Sequence, residues 1–366
     1  MAATDQITFK SEILNQEREI LIYTPPQYSQ KIHSRYDVFY VFDAQNRSFF
    51  DLTHSLIRLS HGLPKDFIVV GISAYQGMDQ DYARNNDFLP VLKTERSKKR
   101  YGPYSGNADN FLAFIHDELV PYIDETYRTL PTRTAVGHSL GGSFILYSML
   151  NSPELFQNYM AISPNFAFED DYLANAFMGF DFEKLNEGAF IHVSSADEKN
   201  YWQEWGPAYD KVEEFMGKSE KLSHLNTHFQ KYPDYDHLNA FVPSLSYAIK
   251  AYLIESLGEQ EKWTSKDSKE VTITVSVPEE TEELFVAGNQ DSLGNWNPGE
   301  VKMEKIAPRQ FQITLEVKTP VRMKFTRGGW ENQAFVDGSF GDNLVINPKE
   351  GETYNYTILG YADSQQ

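Results

Sequence analysis

Gly137-His138-Ser139-Leu140-Gly141-Gly142 lies between a short β-rich run, TAV, and an apolar helical run, SFILYSML. A serine hydroxyl attacks a carbonyl only once a base removes its proton, and the turn that carries it must lift Oγ above the sheet edge. Glycines on both sides tolerate strained backbone and close packing at such a turn. A three-position G-x-S-x-G match arises by chance in about one chain in eight of this length. It is therefore the strand-to-helix setting that makes Ser139 a candidate nucleophile. The helix N-terminus behind it favours negative charge, and the Leu140 amide can donate to a developing oxyanion.

A base and an orienting acid should follow in the order Ser, acid, His. The downstream histidines are His192, His224, His228 and His237. His192 lies inside the run FIHVSS and His228 inside NTHFQKY, both expected as strands that would hold them within the sheet. His237 lies in YPDYDHLNAF, a turn-rich segment ahead of a helix, and is the expected base. The acid should end the strand before it, where FIHVSSADEKN places Asp197 beside Glu198. Asp197 is the first choice because its shorter side chain holds an imidazole more rigidly; Glu198 is the alternative. His224 and His228 are four apart but lack a helix or an adjacent Glu, so no metal is expected. The basic run Arg96 to Arg100 reads as a solvated loop that borders the pocket and could meet an acidic substrate tail.

These residues need a frame. EREILIYTPP, YDVFYVFDAQ and FIVVGISA read as strands, and near-continuous apolar runs suit a sheet covered on both faces. In NADNFLAFIHDELVPYIDETY, Phe111, Phe114, Ile115, Leu119 and Ile123 fall on one helical stripe. A strand at TAVG follows, then a helix from Ser143 to Leu150 stopped by Asn151-Ser152-Pro153. Such alternation means βαβ units and a doubly wound, mostly parallel α/β sheet over residues 1–257. Residues 258–270 are charged and read as a linker. Over 271–366, VTITVSV, LFVAG, QFQITLEV, VRMKFT and NYTILGY alternate with period two, which predicts a smaller all-β sandwich of antiparallel strands.

The 366 residues suffice for one large and one small domain, and 41% apolar residues supply both cores. With 52 acidic against 33 basic side chains the formal charge is −19, which repels phosphate backbones and argues against nucleic acid as partner. The absence of cysteine removes disulfides, thiolate nucleophiles and Cys-ligated zinc. No stretch reads as a signal peptide or membrane span, so a soluble, cytoplasmic chain is expected as written, or a secreted or periplasmic one had a leader been removed.

The stretches YVFDAQ, RNNDFLP, SGNADNFLAFIHDELVPYIDETYRT, VGHSLGG, SPELFQNYMAISPN and YPDYDHLNAF resemble, in order and spacing, the esterases grouped with esterase D and the enterobactin (siderophore) esterases. The resemblance implies an α/β-hydrolase with Ser139 as nucleophile, His237 as base and a carboxylate at Asp197 or Glu198. It also implies a second oxyanion amide from the loop Asp43-Ala44-Gln45, taken as Ala44, with His138, Arg84 and Asn165 bordering the substrate. Arg84 reads equally well as half of an ion pair. Ala44 departs from the glycine common in the family, and Asn165 from a second serine. Members of the family hydrolyse siderophore lactones, short acyl esters and acyl groups on sugars. A serine esterase that needs no cofactor is expected, on a small-molecule or glycan ester; the rivals are an acyltransferase to a sugar or alcohol, and an inactive scaffold that binds carbohydrate.

LFVAGNQDSLGNWNPGEVKM and VRMKFTRGGWE resemble the starch-binding type of carbohydrate module. That likeness implies polysaccharide binding with Trp296 and Trp330 as stacking platforms. The alternative leaves both tryptophans as core or rim residues, and Asp342-Asn343-Leu344 departs from the Asn-Arg usual near the end of such modules.

Overall fold

The computed structural model describes residues 3–60, 65–77, 79–102, 104–198 and 202–365. The larger unit comprises residues up to Pro25 and Tyr36–Glu261, and the smaller comprises Pro26–Arg35 and Lys262–Gln366.

In the larger unit β1 (Ala3–Ser11), β2 (Gln16–Thr24), β3 (Tyr36–Phe42), β4 (Phe67–Ile72), β5 (Thr129–His138), β6 (Asn158–Ile162), β7 (Phe190–Ser195) and β8 (Asn226–Lys231) form one sheet in the order β1-β2-β4-β3-β5-β6-β7-β8. β1 and β2 are antiparallel to their neighbours, and the strands from β4 to β8 run parallel. Every residue of β3, β4, β6 and β7 is buried, as continuous apolar runs demand of strands covered on both faces. The stripe Phe111, Phe114, Ile115, Leu119 and Ile123 is buried as expected. Its helix is continuous only through a wider π-type segment, Phe114–Leu119, between Ala108–Ala113 and Val120–Thr126. Among the described residues no helix is long and apolar enough to cross a membrane.

The parallel strands all point their C-terminal ends the same way, so the residues that follow them gather along one edge of the sheet. Asp43 follows β3, Ser139 follows β5, Ser163 follows β6, Glu198 lies just beyond β7, and His237 lies in the loop after β8. The helix after Ser139 runs Leu140–Asn151, three residues longer at its start than the pattern suggested. Gly141 and Gly142, read as turn formers, are its first-turn residues.

The smaller unit holds a four-stranded sheet, β11-β10-β14-β16, and a five-stranded sheet, β12-β13-β9-β17-β15. Its strands are β9 (Ser268–Ser276), β10 (Phe285–Gly288), β11 (Val301–Lys302), β12 (Glu304–Ala307), β13 (Gln310–Lys318), β14 (Val321–Thr326), β15 (Ala334–Val336), β16 (Leu344–Ile346) and β17 (Glu352–Tyr361). Val271, Ile273 and Phe311 from one sheet share a core with Val286, Met323 and Phe325 from the other. Three details differ from the sequence expectation. β17 pairs parallel with β9, the chain having crossed from the four-stranded sheet at β16 to the five-stranded sheet at β17. Part of the expected linker is helical, since Leu257, buried, begins the turn Leu257–Gln260. Residues 26–35 cluster with the β unit, where the His33 carbonyl accepts from the Val345 amide at 3.0 Å and Lys31 pairs with Asp342 at 2.7 Å.

Candidate active site

Ser139 adopts φ 57°, ψ −123°, a strained backbone that costs about 1–3 kcal/mol and persists only where the surroundings over-determine it. Its amide donates to the Ile162 carbonyl at 2.9 Å, and its own carbonyl accepts from the Ser143 amide at 2.9 Å. A Cβ at Gly137 would stand 2.3 Å from the Gly141 carbonyl oxygen, so only glycine lets strand and helix approach this closely. Leu140 opens the helix, and its amide belongs to the first turn, whose N–H groups have no intrahelical acceptor.

The loop after β3 faces the same turn. Asp43 has φ 62° and is 2% exposed; its carboxylate takes two hydrogen bonds from Arg84, Nε at 2.9 Å and Nη2 at 2.7 Å, and one from Gln45 Nε2 at 2.9 Å. A Cβ at Gly141 would lie 3.0 Å from Asp43 Oδ2, so the ion pair abuts the start of the helix that follows Ser139. The Ala44 amide, expected to face an oxyanion, donates to the Ile72 carbonyl at 3.1 Å. That bond extends the β3–β4 pairing by one step and consumes the donor. The Gln45 amide makes no hydrogen bond among the described residues, while its side-chain oxygen accepts from the Ala74 amide at 2.9 Å and fixes the loop. Gln45 thus keeps a backbone donor that Ala44 does not.

His237 Nδ1 stands 3.4 Å from Glu198 Oε1. Of the two adjacent carboxylates, Glu198 and not Asp197 meets the imidazole. The Asp197 amide is tied to the Tyr235 carbonyl at 3.0 Å, and both Asp197 and Glu198 border a neighbouring cleft with Asp210, Glu213 and Lys231. The Glu198 carbonyl accepts from the Trp202 amide at 2.7 Å, and the Glu198 residue is 1% exposed. Burial pushes the Glu198 carboxyl up. Interactions with His237, the Ser163 hydroxyl and the Ala196 and Glu198 amides outweigh it and hold the group below the usual carboxylate range. The rings of Trp202 and Trp205 meet the His237 ring edge-on at 4.9 and 5.6 Å, a pair that neither motif nor periodicity had singled out.

His138 is 5% exposed, and its Nε2 donates to the His237 carbonyl at 2.7 Å; the carbonyl can only accept, so Nε2 carries the proton. Phe49 and Phe241 flank its ring. Burial, with the nearby His237 adding to it, pushes its pKa down to about 4, so His138 is neutral at ordinary pH. Three residues expected to border a substrate thus have structural partners: His138 holds a loop, Arg84 holds Asp43, and Asn165 bonds to Ser143, Tyr101 and Ala167. Asn165 does reach a cleft of about 270 Å³, lined also by Arg96, Arg100, Tyr101, Phe168 and Trp205. Arg100 pairs there with Glu204 and lies over the Trp202 ring. His224 and His228 point elsewhere, to the Phe182 carbonyl and to Glu255 and Tyr247. Among the described residues no group of three or more His, Asp or Glu could hold a metal ion.

In the smaller unit Trp296 and Trp330 come together, ring centroids 6.5 Å apart at 43°, with Trp330 40% exposed. Gly294, Asn295 and Trp296 all have positive φ at the end of the turn Asp291–Trp296, and Trp296 is half-buried. Asp342 forms the ion pair with Lys31, and the Lys324 ammonium donates to the Gly341 carbonyl at 2.8 Å.

A mostly parallel eight-stranded sheet with a serine on a strained strand-to-helix turn defines the α/β-hydrolase class. The chain belongs to the family described as "Putative esterase", which matches residues 11–231. It is 34% identical over 140 residues to the ferri-bacillibactin esterase BesA of Bacillus subtilis, covering 36% of this chain and 48% of that protein. It is 28% identical over 137 residues to the apo-salmochelin esterase of an Escherichia coli O6:H1 strain, covering 36% of this chain and 42% of that one. The matches thus span about half the length of these relatives or less. Among solved structures, an IroE-like serine hydrolase from Shewanella oneidensis superposes with a TM-score of 0.56 at 23% identity, over 69% of this chain and 80% of that one. The BES protein from Bacillus cereus gives 0.57 at 22%, over 68% and 95%. These two likenesses concern the fold.

Proposed function

We propose that this chain is a serine carboxyl-ester hydrolase acting through an acyl-enzyme. In this reading Ser139 Oγ attacks the ester carbonyl while His237 Nε2 takes its proton. Glu198, accepting from Nδ1, fixes the tautomer that leaves Nε2 free and steadies the imidazolium. The amides of Leu140 and Gln45 receive the oxyanion. His237 then protonates the departing alcohol, and water, activated by the same imidazole, releases the acid. The observation that carries the reading is the Glu198–His237 pair, delivered beside a serine turn of φ 57° by a loop that His138 anchors.

The cleft beside Asn165 supports an ester with an aromatic portion, since Tyr101, Phe168 and Trp205 line it; Arg96 and Arg100 line it as well, paired with Asp170 and Glu204, and an acidic substrate would have to compete with those carboxylates. A siderophore-like lactone fits that description and the names of the curated relatives. The Trp296–Trp330 pair, with Trp330 exposed and Trp296 half-buried, supports a carbohydrate-binding role for the smaller unit, because flat indole faces stack on pyranose rings. Ser139→Ala should abolish hydrolysis of p-nitrophenyl acetate and labelling by a fluorophosphonate probe. Activity retained by that variant, purified free of host esterases, would refute the mechanism.

A further inference from the structure

Ser163 follows β6 with φ 47°, the left-handed region that L side chains occupy at a cost of roughly 1–2 kcal/mol. It is fully buried, and its amide is bound to the Ser194 carbonyl at 3.2 Å, so neither hydration nor chain freedom explains a hydroxyl at this strained position. Ser163 Oγ makes no hydrogen bond among the described residues. Glu198 Oε2, equally buried, closes none either, while Oε1 faces His237; the Ser163 hydroxyl and the Ala196 and Glu198 amides nonetheless lie near enough to hold the carboxyl below its usual range. A buried ionised carboxylate whose second oxygen closes no hydrogen bond is costly, and the Ser163 hydroxyl, near enough to help hold the carboxyl down, is the group that can relieve the cost.

We propose that Ser163 is a positioning residue for Glu198, its hydroxyl donating to Oε2 as positive charge develops on His237. This rests on the reading of Glu198 and His237 as catalytic partners. Hydrogen bonds at such sites are often long at rest and tighten in the reacting complex, as the 3.4 Å between His237 and Glu198 also suggests. With Oε1 turned to the imidazole and Oε2 held from behind, the carboxylate cannot swing.

A buried polar chain fixes Ser163 in turn. The Ser194 hydroxyl oxygen accepts from the Ser163 amide at 3.4 Å and from the Ser244 hydroxyl at 2.8 Å. The Ser244 proton is thereby committed, so His192 Nε2, 2.9 Å from Ser244 Oγ, must be the donor, and its Nδ1 makes no hydrogen bond among the described residues. His192 is fully buried, and burial pushes its pKa down to about 3. The chain behind Ser163 is therefore uncharged throughout the neutral range. It holds the serine in place without competing for the proton on His237.

The test compares Ser163→Ala, which keeps the Cβ and its strain, with Ser163→Gly, which removes both, each also combined with Glu198→Gln. Loss of one donor to a charged acceptor should lower kcat for p-nitrophenyl acetate about tenfold or somewhat more in both single variants, with KM within about twofold. In the Glu198→Gln background either change should add little, because the group being positioned is already disabled. Equal kcat in wild type and the folded Ser163→Gly protein, or a full additional loss on top of Glu198→Gln, overturns the assignment. Should Glu198→Gln itself leave kcat unchanged, it is the underlying triad reading that fails.

Discussion

His138 Nε2 lies 2.7 Å from the carbonyl oxygen of His237, so the residue before Ser139 fastens the loop that carries the imidazole. In the proposed mechanism the Ser139 hydroxyl and the His237 imidazole come within hydrogen-bond reach, and this contact would help set their separation; a shift of about 1 Å can cost on the order of a hundredfold in rate. His138→Ala removes the donor and opens a void against Phe49 and Phe241. The expected result is a fall in kcat of about ten- to a hundredfold, with a smaller change in KM. Steady-state kinetics on p-nitrophenyl acetate check this, and an unaltered kcat would mean the loop holds itself.

Glu198, at 3.4 Å from His237 Nδ1, should be the carboxylate whose charge matters. Glu198→Gln keeps the shape but cannot stabilise an imidazolium and favours the wrong tautomer, so kcat should drop by about 10²- to 10⁴-fold. Asp197→Asn, on the residue whose amide is tied to the Tyr235 carbonyl, should change kcat less than about threefold. The reverse ranking of the two variants would overturn the assignment of the acid.

Arg84 and Asp43 form a bidentate pair with Asp43 2% exposed. Arg84→Ala strands a buried carboxylate beside the helix that follows Ser139, and breaking such a pair costs about 3–5 kcal/mol. A urea midpoint well below that of the wild type is expected, accompanied by loss of activity as the Asp43-Ala44-Gln45 loop relaxes. Were the variant as stable as wild type but raised in KM, Arg84 would be a substrate contact and not a strut.

Much of this was legible in the residues because the signals were local. The apolar runs that became β3, β4 and β7, the turn at Ser139 and the placing of His237 in a loop each follow from a few neighbouring side chains. The details that differed are set by contacts between distant segments. Choosing Glu198 over Asp197 depends on the Asp197 amide pairing with Tyr235, 38 residues later in sequence. The Ala44 amide is lost to an oxyanion because Ile72, in another strand, accepts it. Arg84 and Asp43 find each other across 41 residues, and nothing in RNNDFLP names its partner. Short strands such as β11 and β16, of two and three residues, carry too few side chains to show a period.

His192 gives the larger unit a defined acid sensitivity. Its folded pKa, about 3, lies below its ordinary 6.5, so between those values the unfolded chain binds a proton that the folded chain refuses. Stability is fully present above about pH 6.5 and is lost as pH falls toward 3; from pH 7 to pH 5 this one ring accounts for about 2 kcal/mol. His192→Asn keeps a donor near Ser244 without titrating. Its unfolding free energy, measured in urea at pH 7 and pH 5, should decline about 2 kcal/mol less over that interval than that of the wild type. Parallel pH profiles for the two proteins would show that His192 is not held neutral.

The Trp296–Trp330 pair, with Trp330 40% exposed, sets up the last expectation. Two indoles tilted 43° to one another can grip successive rings of a curved glucan better than a flat, straight chain, which would require coplanar faces. Retardation of the wild-type protein is therefore expected in starch gels and not in cellulose gels. Each stacking contact contributes about 1 kcal/mol, so Trp330→Ala and Trp296→Ala should each weaken retardation by about five- to tenfold and the double variant should migrate as in a gel without polysaccharide. Hydrolysis of p-nitrophenyl acetate should be unchanged in all three, because these residues belong to the smaller unit and Ser139 to the larger. Equal migration of wild type and double variant in starch would assign the two tryptophans to packing alone.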